Sequence, residues 1–264
     1  MDRALEGRVA IVTGASRGIG AAIAERFAEE GARVAAAART VEPVERYEGS
    51  LQETVERITK AGGEAVPVQC DLSKPEDRQR LVSETVDRLG PVDILVNNAA
   101  VTFFQPFPDF SEKRFRLMFE VQVRAPYELA QMVVPSMRER GEGWILNISS
   151  RAANHPVGPP YDPFHLSGAT VYAMVKAALD RFSTALAAEL HQDGITVNAL
   201  APWDNVATPG ADTHDLVQQY RLEGPEWMAE AALALCSQPK NQLSGRVAYS
   251  QALLAELQLR PKSR

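Results

Sequence analysis

Between Arg8 and Glu30 the chain reads as strand, glycine turn and helix, and this junction restricts its fold more than any other feature. Arg8 to Val12 is a short β-branched run that ends in Thr13-Gly14, and Gly18 to Glu30 then carries a helical pattern that stops at Gly31. The turn Thr13-Gly14-Ala15-Ser16-Arg17-Gly18-Ile19-Gly20 sets glycines at 14, 18 and 20. Glycine opens backbone angles closed to other residues and lets a pyrophosphate approach the main chain, while the helix start offers free N–H groups to its charge. The spacing G-x-x-x-G-x-G is neither G-x-G-x-x-G nor a Walker loop. A plain β–α turn would satisfy it as well.

The alternation continues. Strands are expected near 33–38, 65–69, 92–96, 143–148 and 195–200, with helices near 51–61, 75–88, 112–139, 170–191 and 225–236. Val247 to Tyr249 is a candidate edge strand. Such alternation predicts a doubly wound, mostly parallel sheet with helices on both faces, the Rossmann-type α/β class. No polar linker or repeat divides the sequence, so residues 1–264 are read as one domain. Irregular stretches are expected at Val41–Ser50 and at 152–168, where Pro156, Gly158, Pro159, Pro160, Pro163 and Gly168 exclude regular helix or central strand.

Composition removes several functions. A net charge of -6 offers no basic face for nucleic acid or an anionic membrane. No stretch stays apolar long enough to span a bilayer and no signal segment opens the sequence, which suggests a soluble, cytoplasmic protein. Cys70 and Cys236 are far apart and are expected as reduced thiols. The histidines His155, His165, His191 and His214 lack metal-ligand spacing, so no metal site is expected.

An acid that would hold a ribose 2′-hydroxyl is missing after the second strand, where Ala35-Ala36-Ala37-Ala38 runs into Arg39. Arg17 and Arg39 could instead flank a 2′-phosphate, which favours NADP(H) over NAD(H). Asp71 follows the third strand and fits either an adenine contact or a helix-entry cap. Tyr172 and Lys176 stand four apart and share a helix face, where an ammonium would bring the phenol pKa down from about 10. Ser150 ends the fifth strand, at the edge where open parallel sheets bind ligands.

Taken in order, Thr13-Gly14-x3-Gly18-Ile19-Gly20, Asp71-Leu72, Asn97-Asn98-Ala99, Asn147-Ile148-Ser149-Ser150 and Tyr172-x3-Lys176 resemble the short-chain dehydrogenase/reductase family over about residues 7–210. Gly49 to Thr54 and Asn198 to Trp203 are similar to a hydroxysteroid-dehydrogenase-like branch. The resemblance implies a seven-stranded sheet and hydride transfer between NADP(H) and a carbonyl or secondary alcohol. It implies Tyr172 as general acid in reduction and base in oxidation, Lys176 on the nicotinamide ribose, and Ser150 orienting the substrate oxygen. Cofactor contacts are implied at Gly14, Ser16, Arg17, Gly18, Ile19, Gly20, Arg39, Asp71, Leu72, Asn98, Ala99, Tyr172, Lys176 and Pro202.

The sequence departs from that pattern in places. Gln122 stands where the family has an asparagine supporting the lysine through water, and Trp203 follows Pro202 in place of glycine. Trp203 could floor the substrate pocket or pack in the core. Ala100 replaces a glycine, and the 152–168 segment is an insertion expected over the nicotinamide side. Tyr161 is nearer Ser150 but has no lysine at i+4. Phe103, Phe104, Pro106, Phe107, Tyr161, Phe164 and Trp203 suggest an apolar pocket for a hydrophobic ketone or aldehyde, although the aromatics could equally be core or subunit contacts.

Two other functions compete: a non-catalytic nucleotide-binding protein that kept the fold, and an NAD-dependent alcohol dehydrogenase. A homo-oligomer, tetramer or dimer, is expected through helices 112–139 and 170–191, which carry Leu129, Met132, Val133, Phe182 and Leu186 beyond one stripe. The stretch from Leu253 to the C-terminus could fold on a neighbour or fray.

Overall fold

A computed structural model describes residues 3–43, 49–206, 222–239 and 242–262. Part of the irregular 41–50 segment, at 44–48, and His214 therefore lie outside the described residues. Seven parallel strands form one sheet: β1 Val9–Thr13, β2 Arg33–Ala38, β3 Glu64–Gln69, β4 Ile94–Asn97, β5 Gly143–Ile148, β6 Ile195–Ala201 and the edge strand Val247–Tyr249. Two short strands, β7 Asn205–Val206 and β8 Leu222–Glu223, pair with each other, which makes the edge strand β9. The sheet order is β3-β2-β1-β4-β5-β6-β9.

Every residue of β1, β4, β5 and β6 is buried, because helices cover both faces and leave no polar side. One face carries α1 Gly18–Glu29, α2 Leu51–Lys60, α8 Pro225–Ser237 and α9 Ser250–Glu256, whose Ile23, Phe27, Ile58, Met228 and Leu254 share a core. The other carries α3 Pro75–Leu89, α5 Ala125–Arg140 and α7 Thr170–Glu189, around Leu81, Leu129, Met137 and Ala187. Pro67 is tolerated in β3 because that strand has a free edge. The chain reverses direction across the sheet between β1 and β4, and the crevice above their C-terminal ends is where an open α/β sheet binds ligands.

Three details correct the sequence reading. The helix expected over 112–139 is α4 Glu112–Phe119, a π turn at Glu120–Arg124 and then α5. The proline-rich insertion is not wholly irregular: Pro163–Leu166 forms a one-turn helix, α6, with Pro163 at its first position and the Asp162 carboxylate accepting from the Phe164 N–H. The described part of the C-terminal stretch packs on its own chain: Leu253 and Leu254 enter the core and Lys262 pairs with Glu30 at 2.9 Å. Of the apolar residues expected on a subunit face, Leu129 and Val133 are instead buried in this chain's own core.

Candidate active site

The glycine turn and the end of β4 are tied into one ledge. Thr13 Oγ1 accepts from the Asn98 and Ala99 N–H groups at 3.0 and 3.1 Å, and Asn98 Nδ2 donates to Thr13 O at 2.8 Å. A Cβ on Gly20 would stand 2.3 Å from Gly14 O, so only glycine allows the helix to start this close to the turn. Arg17 stands at the cap position of α1 and offers its N–H groups no side-chain acceptor, and Gly18, Ile19 and Gly20 of the first turn line the crevice.

The crevice has a volume of about 610 Å³. Eleven of the expected cofactor residues line it: Gly14, Ser16, Arg17, Gly18, Ile19, Gly20, Arg39, Asp71, Leu72, Asn98 and Ala99. Bare backbone at the turn, a helix start and two guanidinium groups form a donor set suited to a dinucleotide's phosphates. Arg17 Nη2 lies 3.4 Å from Thr40 Oγ1, and Arg39, which is exposed, holds the mouth of the same end. Asp71 is the only acid among the lining residues. Its Oδ1 accepts from the N–H and the hydroxyl of Ser73 at 3.0 and 2.8 Å, so it stiffens the β3 turn, while Lys74 occupies the cap position of α3. Thr40, Leu117 and Val121 are among the further lining residues and were missed in the sequence. Thr40 was readable as the neighbour of Arg39; the other two are placed by the fold alone.

Beside this crevice the strand end of β5 meets α7. Lys176 Nζ donates to Ile148 O at 2.8 Å, which anchors the helix against the strand and sets Ser150 facing Tyr172. The Ser150 hydroxyl pairs with the Tyr172 phenol and accepts from the Ala152 N–H at 3.2 Å. Burial pushes the Tyr172 phenol above its ordinary value, and the Ser150 hydrogen bond pulls the other way. Burial, and not the lowering by Lys176 expected from spacing, sets this direction. The ammonium sits 5.8 Å from the centre of the Tyr172 ring.

Lys176 is only 3% exposed, and burial brings its pKa down to about 8, opposed by the Asp180 carboxylate one turn along α7. This carries a stability consequence with a definite sign. The folded pKa lies below the ordinary 10.5, so between about pH 8 and 10.5 the unfolded chain binds more protons and stability from this group rises with pH. Below pH 8 the full cost of burying the charge is present, on the order of 3 kcal/mol at 1.36 kcal/mol per unit. Lys176→Met is expected to match or exceed the parent's resistance to urea at pH 7, with the margin shrinking by pH 9.5. A margin that widens with pH would show that the buried amine carries no such cost.

Aromatic residues border Tyr172. The Phe104 ring meets Tyr172 edge-on at 5.7 Å, and Phe164, from α6 in the insertion, meets Phe104 at 6.0 Å. The insertion thus leans toward Tyr172 through Phe104 and does not project away from it. Phe107 and Tyr161, by contrast, are 69% and 47% exposed and form no wall. Trp203 is not a core residue: it is 44% exposed, stands edge-on to Tyr249 at 6.1 Å, and its carbonyl accepts from Arg151 Nη1. Pro202 precedes it after β6 and does not line the crevice. Gln122 is buried in the π turn, where Nε2 donates to Val101 O at 2.8 Å and Oε1 has no hydrogen-bond partner among the described residues. Its amide therefore supports a crevice wall.

Cys70 and Cys236 are buried and unpaired, and burial raises both thiols, so neither is a ready nucleophile. Among the described residues no group of His, Cys, Asp and Glu is placed to hold a metal, and no helix is long and apolar enough to cross a membrane.

The sequence model of one family, described as short chain dehydrogenase, matches residues 8–214. A short chain dehydrogenase of Pseudocercospora fijiensis is 36% identical over 263 residues, covering 92% of this chain and 79% of that protein. A 7α-hydroxysteroid dehydrogenase structure in complex with NADH and 7-oxoglycochenodeoxycholic acid aligns with a TM-score of 0.81 at 32% identity, over 94% of both chains. L-Sorbose reductase from Gluconobacter frateurii, complexed with NADPH and L-sorbose, aligns with a TM-score of 0.78 at 32% identity, over 94% of this chain and 96% of that one. Similar proteins thus use either nicotinamide cofactor.

Proposed function

This chain belongs to the short-chain dehydrogenase/reductase family, oxidoreductases acting on CH–OH and C=O groups, and from that premise we propose an NADPH-dependent reductase of hydrophobic carbonyl compounds. The observation that carries the catalytic part is the meeting of Ser150, Tyr172 and Lys176 at one strand end beside the glycine-turn crevice. When bound, the dihydronicotinamide supplies the hydride. Ser150 holds the carbonyl oxygen, Tyr172 gives its phenolic proton to that oxygen as negative charge develops there, and the Lys176 ammonium favours the phenolate left behind. Solvent returns the proton to Tyr172.

Cofactor choice rests on charge. Arg17 and Arg39 line the crevice and Ala38-Arg39-Thr40 puts no carboxylate at the end of β2, an arrangement that suits a 2′-phosphate better than a bare ribose hydroxyl. The Phe104–Phe164 pair beside Tyr172 supports an apolar substrate. In this reading one sheet carries both the cofactor crevice and the catalytic helix, as a single cofactor-binding domain. A reducing, cytoplasmic setting is supported by the two free thiols. Exposed Tyr127 on α5 and Met174 on α7 support assembly of like chains through those helices.

The test follows NADPH and NADH absorbance with a panel of hydrophobic ketones and aldehydes. Carbonyl-dependent consumption of NADPH, faster than that of NADH, is the expected result. Consumption of neither cofactor across the panel would overturn the proposal.

A further inference from the structure

Arg78 is a charged side chain with no exposure at all, and its partners lie on three different elements. Nη1 donates to Leu72 O at 2.5 Å and to Glu120 Oε1 at 2.8 Å, while Nε donates to Glu128 Oε2 at 2.8 Å. Leu72 belongs to the turn after β3, Glu120 opens the π turn, and Glu128 lies on α5. Arg124 closes the cluster through Glu120 and Glu128, at 3.5 and 2.8 Å, so two guanidinium groups alternate with two carboxylates.

These contacts adjoin the crevice lining on separate elements. Leu72, from the turn after β3, and Leu117 and Val121, from α4 and the π turn, all line it. Val121 is the residue after Glu120, and Gln122 next to it holds Val101, which also lines the crevice. A planar, forked cation bonded to these elements sets their separation, because its donors cannot move independently. A buried charge needs partners, which explains two carboxylates but not the bond to a crevice-wall carbonyl.

We infer that Arg78 is a positioning residue that fixes the width of the slot between Leu72 and Val121, and so the affinity for the adenosine half of the cofactor. The inference rests on the dinucleotide reading of the crevice. It touches no reacting atom.

The test measures binding of ADP-ribose and of 2′,5′-ADP by calorimetry to the parent chain, to Arg78→Met and to Arg78→Lys. Lysine keeps the charge but has a single ammonium that cannot span all three partners. Both variants are expected to bind the two fragments about tenfold more weakly, the cost of a misplaced wall, while kcat at saturating NADPH and KM for the carbonyl stay within about twofold. If Arg78→Met does not fold, Arg78→Lys decides alone. A folded variant with a lowered melting temperature but unchanged fragment affinity would overturn the inference and leave the dinucleotide reading standing. A parent chain that binds neither fragment nor NADPH would overturn both.

Discussion

Tyr172→Phe is expected to lower kcat for carbonyl reduction by about 10²–10⁴-fold while leaving NADPH affinity as it was. The change removes one oxygen and little else. The ring keeps its edge contact with Phe104, and the Ser150 hydroxyl loses the phenol oxygen as a partner but keeps its bond from the Ala152 N–H. Tyr172 does not line the glycine-turn crevice, which is why fluorescence titration with NADPH should give the same Kd for both proteins. Because burial holds the phenol above its ordinary value, the proton-donating form persists through neutral pH. Reduction should therefore stay flat up to about pH 8, where the Lys176 ammonium is lost, and alcohol oxidation, which needs the phenolate, should rise with pH. A variant that retained more than about a tenth of the parent's kcat would remove Tyr172 as the proton donor, given the size such a group contributes.

The strands and the Tyr172–Lys176 pair could be read from the sequence because each rests on a local signal. β1 is a buried apolar run that ends at glycine, and Tyr172 and Lys176 share a helix face by spacing alone. The π turn could not be read, since Glu120 to Arg124 has ordinary helix formers and the wider turn shows only in its hydrogen bonds. Arg78 was hidden for another reason. A lone arginine on an amphipathic helix reads as solvent-facing, and the carboxylates that bury it are 42 and 50 residues away in the chain. Leu129 and Val133 looked like surplus surface because an isolated helix does not reveal how wide a face the sheet and α3 will cover. The short helix in the insertion was signalled by Asp162-Pro163, a cap followed by proline at the first helical position, but the prolines around it outweighed that cue.

Arg39→Ala should weaken NADPH binding by one to two orders of magnitude and leave NADH binding unchanged, since a charge-assisted hydrogen bond contributes about 1.5–3 kcal/mol. Arg39 suits the test better than Arg17, whose guanidinium also reaches Thr40 Oγ1 and Ser16 Oγ in the turn itself. The Arg39 main chain is held without its side chain, through Gln69 Nε2 donating to Arg39 O at 3.3 Å, so the variant should fold. Exposure of the side chain argues for the lower end of the range, because solvent and salt screen an open pair. Salt supplies an internal check: raising it from 50 to 500 mM, on the order of a threefold fall in Debye length, should weaken NADPH binding to the parent far more than NADH binding. That difference should shrink in Arg39→Ala. Adding Ala38→Asp places a carboxylate at the end of β2, where it would repel a 2′-phosphate and accept from a 2′-hydroxyl, so the double variant should prefer NADH. Equal losses with both cofactors in Arg39→Ala would mean that the arginine supports the crevice mouth and does not read the phosphate.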